Sequence, residues 1–232
     1  ISALLFGGAL KQNASSETMG DGATRTTRRN DFRELIRYLS QNSSLLVVFL
    51  IAAILNLALV GLTIGAPVIV AKHLGMQSSF VGIIEVAMGL GGLVGSGLVG
   101  IWPHRFSFKG ICRYVAMICF GVVPIIVTLL SGPNEFAFVA LAAGSVWVMA
   151  WASVTSVEVV SFVQRSAPKE LCGKVLALVY MALSCATPIG QLVYGLAYDR
   201  WTPAIVFAGM LAVLTLITAL FYRLKSRLWR MS

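Results

Sequence analysis

Residues 171–200 read LCGKVLALVYMALSCATPIGQLVYGLAYDR. The apolar core of this stretch is long enough to cross a bilayer, since about 20 residues at ~1.5 Å rise span ~30 Å of hydrocarbon. It nevertheless carries Tyr180, Ser184, Thr187, Gln191, Tyr194 and Tyr198. Their spacing alternates between three and four residues, which places all six on one helical face. A membrane helix with a single polar stripe turns it away from lipid, toward other helices or a water-filled cavity. Pro188 lies inside the stripe, where it removes a backbone hydrogen bond and favours a kink. Two readings are open: hydroxyls that glue one helix to the next, or the wall of a solute pathway.

Composition supports a membrane setting for the whole chain. Of 232 residues, 58% are hydrophobic and only 12% charged, about half the charged share of a soluble domain. The net charge of +9 does not point to nucleic acid, because the basic residues cluster between apolar runs. Four cysteines form no CxxC pair, and His73 and His104 lie far apart. Neither a metal site nor a disulfide framework is expected, and no cofactor motif is present.

Apolar runs cover roughly 45–71, 80–101, 111–130, 136–163, 174–197 and 204–222, each able to span as a helix. Turn residues separate them, among them Trp102-Pro-His104-Arg105 and Trp201-Thr-Pro203. The expected architecture is therefore all-α, with six transmembrane helices occupying 44–222. Residues 1–10 begin in mid-hydrophobic run and read as the end of a truncated transmembrane helix. Residues 11–43 read as a linker ending in a short amphipathic helix at 31–41, and 223–232 as a basic tail. With six spans, 16 of the 18 Lys and Arg residues fall on one side, leaving Lys72 and Arg200 on the other. That asymmetry makes the linker and tail cytoplasmic.

Gly95-Ser-Gly-Leu-Val-Gly100 fits the dinucleotide pattern GxGxxG, but no strand precedes it and no βαβ unit surrounds it. Gly91 and Gly95 instead form a GxxxG pair suited to close helix packing. No P-loop is present, which argues against direct ATP-driven pumping. Two acids lie within spans, Glu85 and Glu158. An unpaired carboxylate in hydrocarbon costs several kcal/mol, so such a group protonates, pairs or meets water. Each is a candidate proton carrier, or else merely snorkels or pairs with an interfacial base. Trp147, Trp151, Thr155 and Glu158 share one helical face, which suits either a bulky amphipathic solute or ordinary packing. Asn56, Thr63 and Pro67 share a face of the 45–71 helix. Runs 111–130 and 204–222 carry few strongly polar side chains and no interior acids, and are the expected lipid-facing helices.

These residues resemble the C-terminal half of a major facilitator superfamily transporter, and more closely its bacterial macrolide-efflux and enterobactin-exporter-like branch. That branch carries a motif like P-x-E-x-R-G-R-V, then P-x-G, then G-x-x-x-D. Here they read Pro168-Lys-Glu170-Leu-Cys172-Gly173-Lys174-Val175, Pro188-Ile-Gly190 and Gly195-Leu-Ala-Tyr-Asp199, with Cys172 and Lys174 replacing arginines. Gly100-Ile-Trp-Pro-His104-Arg105 is similar to a degenerate second copy of the superfamily's G-x-x-x-D-R loop, with His104 in place of Asp.

The resemblance implies a 3+3 inverted repeat that works with an N-terminal half of the same chain. It puts the first and fourth spans along the cavity, and the second and fifth beside the other half. The cavity candidates are then Asn56, Thr63, Trp147, Trp151, Thr155, Tyr180, Ser184, Thr187, Gln191 and Tyr194. The conformational candidates are Gly91, Gly95, Gly100, His104, Arg105, Pro188 and Gly190. The implied activity is not enzymatic. It is proton-coupled efflux of a hydrophobic drug, macrolide or siderophore-like compound across a bacterial plasma membrane. Uptake, lipid transport and a non-transporting membrane scaffold or partner subunit are the alternatives.

Overall fold

The computed structural model describes residues 43–130, 135–166 and 171–228. The expectations for 1–10, for the linker with its amphipathic helix, and for the Pro168-Lys-Glu170 part of the motif lie outside the described residues. Six helices follow one another: α1 (Ser43–Val68), α2 (Ser78–Ile101), α3 (Ile111–Leu130), α4 (Glu135–Ser166), α5 (Cys172–Arg200) and α6 (Pro203–Leu228). Among the described residues there is no strand. Five of the six helices are long and apolar enough to cross a membrane. In α6 the apolar part is the shorter Pro203–Ala219, and its backbone runs on as helix into the basic residues that begin at Arg223.

The ends of these helices follow from local chemistry. Pro67 disturbs the last turn of α1, which widens into a π-turn over Ile69–His73. The N–H of Leu74 closes that turn on the carbonyl of Ile69 at 2.8 Å. Gly75 then takes φ 62°, the left-handed conformation that stops a helix at little cost. Pro103 ends α2, since the residue before a proline is pushed out of the helical region.

In lipid, apolar burial offers little drive for helix association, so close packing must hold the bundle. Glycine supplies it at α2 against α4. A Cβ on Gly91 would collide with the Val146 carbonyl oxygen, and one on Gly95 with that of Ala150. α4 is the central helix, packing on both α2 and α3, while α3 packs in turn on α6. α1 lies along α5, and Phe207 of α6 stands over Gly65 of α1.

The contacts just named correspond to one another when the first three helices are exchanged for the last three. α2 on α4 becomes α5 on α1, α3 on α4 becomes α6 on α1, and α3 on α6 is unchanged. Helices that cross a membrane in succession alternate in direction, so α1 and α4 run oppositely, the relation an inverted repeat requires. α1 is the most enclosed of the five long spans, and α2 and α5 the most open. Beyond its first turn, where Arg113 is exposed, α3 shows Phe120, Val123, Val127 and Leu130 on its open side, which suit contact with lipid.

Candidate functional site

Between α1, α4 and α5 lies a cleft of about 80 Å³, closed at the back by Ile118 of α3. Its polar lining is Asn56 from α1 and Thr155 and Ser156 from α4. The rest is aliphatic, including Leu55, Val159 and Leu183. The space holds a few waters but is far below the ~300–1,000 Å³ of a drug-sized pocket.

Asn56 is placed by α5. Its Nδ2 donates to the carbonyl of Leu183 at 3.2 Å and to Oγ1 of Thr187 at 3.3 Å. Thr187 Oγ1 itself donates to Leu183 O at 3.0 Å. The tie spans the turn that ends at Pro188, which is exposed, while Gly190 beyond it is buried, and a Cβ there would come within 3.0 and 3.1 Å of Leu57 and Val60.

The polar stripe of α5 divides between a packed seam and the exposed side of the helix. Thr187, Tyr194 and Tyr198 turn into the α1 seam. A Cβ on Gly61 would sit 2.7 Å from the Tyr194 ring, and one on Gly65 would strike the Tyr198 hydroxyl. Tyr198 Oη donates to Gly61 O at 2.9 Å. Tyr180, Ser184 and Gln191 lie on the exposed side of the helix. On α1, Thr63 is likewise exposed and donates to its own helix at Val60 O, 2.9 Å.

The α4 face also divides. Trp147 donates from Nε1 to Met117 O of α3 at 2.9 Å, and Trp151 stacks on Tyr114 of α3 with centroids 5.9 Å apart. Both indoles thus belong to an aromatic row, Phe106–Tyr114–Trp151–Trp147–Phe120, with steps of 5.9 to 6.2 Å. Neither lines the cleft. Thr155 is buried, donates to Trp151 O at 2.7 Å and lines the cleft.

Glu158, three residues on, is 7% exposed. Among the described residues no ion pair reaches it; the pair seen there is Lys72–Asp199, at 3.3 Å, joining the ends of α1 and α5. Glu85 is exposed on the open face of α2 and is not brought near Glu158's helix face by any contact described. Gly100 has open space around it, and His104 and Arg105 are exposed in the α2–α3 connection.

Sequence reasoning overlooked the Gly61/Gly65 pair, although it repeats the GxxxG spacing noticed at Gly91 and Gly95. The four-residue step from Tyr194 to Tyr198 matches it and was available as a signal.

Comparison with known proteins bears on the family alone. No characterised protein and no solved structure matches the chain significantly. A family profile described as "transmembrane secretion effector" matches residues 11–232, nearly the whole sequence. The chain therefore belongs to the transmembrane secretion effector family of major facilitator-type transporters.

Proposed function

We propose that the chain is the C-terminal half of a secondary transporter that exports a hydrophobic solute, driven by inward proton flow across a bacterial plasma membrane. Glu158 carries this reading: a carboxyl group enclosed in a membrane helix, unpaired among the described residues, one helical turn from a cleft wall. Such a group is suited to hold a proton in one conformation and release it when water enters. The family description, a secretion effector, supports outward transport.

In this reading the cleft between α1, α4 and α5 is one corner of a larger solute seat. Asn56, Thr155 and Ser156 supply its hydrogen-bonding groups. Tyr180, Ser184, Gln191 and Thr63 form the exposed polar wall, completed by membrane segments of the N-terminal half. Trp147 and Trp151 shape α4 from behind by fixing it to α3. Glu85, on the open face of α2, is the second proton candidate. The hinge falls at Pro188, with Gly190 as its close contact on α1.

Transport by the full-length protein in liposomes, with substrate-driven proton movement recorded together, tests the proposal. Glu158→Gln is expected to keep solute binding and lose proton coupling, with Glu85→Gln weaker in effect. Full coupling in both variants would remove proton carriage from these residues.

A further inference from the structure

The connection between α2 and α3 is held more firmly than a membrane loop requires. Trp102 O accepts from Arg105 N–H at 3.0 Å, closing a turn with Pro103 inside it. Both backbone groups of Ser107 are bound by one side chain. Its N–H donates to Tyr114 Oη at 3.0 Å, and its carbonyl accepts from the same hydroxyl at 3.2 Å. Tyr114 is 1% exposed. Phe106 lies against its ring at 5.9 Å, and Phe108 stacks on Phe162 of α4 at 4.1 Å.

What this pinned loop presents is cationic and interfacial. Trp102 is 52% exposed, at the point where α2 leaves its apolar run. His104, Arg105 and Arg113 are exposed as well. Arg105 and Arg113 each precede a member of the Phe106–Tyr114 ring pair, and the Arg113 guanidinium stands 5.8 Å from the Tyr114 ring. Residues 102–114 include no Asp or Glu, so no acid within the loop offsets these charges.

We propose that this loop is a binding site for the phosphate of an anionic phospholipid, clasped by Arg105 and Arg113 with Trp102 seated at the headgroup boundary. Guanidinium groups match phosphate geometry bidentately, and an exposed indole prefers the membrane interface. The loop is already ordered by Tyr114 and Phe108, so binding carries little further entropy cost. A basic loop that only orients the protein needs neither the pin nor the tryptophan; surface potential alone would act on any basic residue at that end, Arg165 included.

The test uses the full-length protein in nanodiscs of phosphatidylcholine, alone or mixed with phosphatidylglycerol. Brominated lipid quenches nearby indoles, and the difference between wild type and Trp102→Phe isolates Trp102. Brominated phosphatidylglycerol is expected to quench Trp102 more strongly than brominated phosphatidylcholine. That preference should fall roughly fivefold for Arg105→Gln or Arg113→Gln. Arg105→Lys with Arg113→Lys, which keeps the charge and guards against misfolding, should retain part of it. Equal quenching by the two lipids would overturn the site. So would an equal loss of preference on Arg165→Gln, since that is the signature of surface potential alone.

Discussion

Tyr198 donates its phenolic hydrogen to the carbonyl of Gly61, 2.9 Å away on a helix 137 residues earlier in the chain. The bond is the centre of a seam between α1 and α5. Below it Asn56 is tied to Leu183 and Thr187, beside it Tyr194 covers Gly61, and at its end Lys72 meets Asp199. The seam divides the α5 polar stripe: Thr187, Tyr194 and Tyr198 enter it, while Tyr180, Ser184 and Gln191 stay exposed, the part that the proposed function assigns to solute or water.

Substitutions in the seam should destabilise the bundle in graded fashion. Gly65→Val forces a side chain into the Tyr198 hydroxyl and is expected to cost about 1–3 kcal/mol by overpacking. Tyr198→Phe removes one interhelical hydrogen bond, worth about 0.6 kcal/mol in membrane proteins. Thermal unfolding in detergent reads both, and the valine variant should be clearly the worse. Equal stability of the two would deny the close approach.

The glycines of α2 provide an internal control for one another. Gly95→Ala meets the backbone carbonyl of Ala150, which cannot turn aside, and should lower thermal stability measurably. Gly97→Ala and Gly100→Ala meet open space. They should be neutral, or stabilising by up to ~1 kcal/mol through helix propensity. Similar melting temperatures for all three variants would remove the α2–α4 packing role.

Asn56 and Thr187 should couple energetically. Their hydrogen bond and shared acceptor at Leu183 imply that Asn56→Leu and Thr187→Val are not additive. A double-mutant cycle on unfolding in detergent is expected to give an interaction energy of roughly 0.5–1 kcal/mol. A value near zero would mean that the two side chains act apart.

Trp147 separates packing from solute contact. Because its Nε1 is engaged by Met117 O, Trp147→Phe should lower stability by about 1 kcal/mol while leaving the KM for solute unchanged. A raised KM with unchanged stability would return the indole to the solute path.

Much of this was legible in the sequence. Apolar run length and Lys/Arg spacing gave six helices, and α3 begins and ends where its run does. Periodicity alone could not say which neighbour a stripe meets, because one face is wide enough to serve both a seam and an open wall. Tyr180 and Tyr198 lie at the same angle on α5, yet one is exposed and the other buried. The pairing of Tyr194 and Tyr198 with Gly61 and Gly65 needs two helices in register, and register is a tertiary fact. Trp147 and Trp151 left two readings open for a related reason: aromatic residues on one face signal a partner surface without saying whether it is solute or the next helix, and both contact α3.

The central claim is that the part of the stripe left outside the seam faces water rather than lipid. Single cysteines placed at Ser184, Gln191 and, as a lipid-side reference, Phe120 are tested with a membrane-impermeant thiol reagent. The background is full-length protein with its native cysteines, including exposed Cys185, replaced by alanine. The two α5 positions should label in at least one condition, solute-free or solute-bound, while the Phe120 position stays unreactive. If neither Ser184 nor Gln191 labels in any condition, the open wall is a lipid or protein contact and the transport reading of this bundle is contradicted.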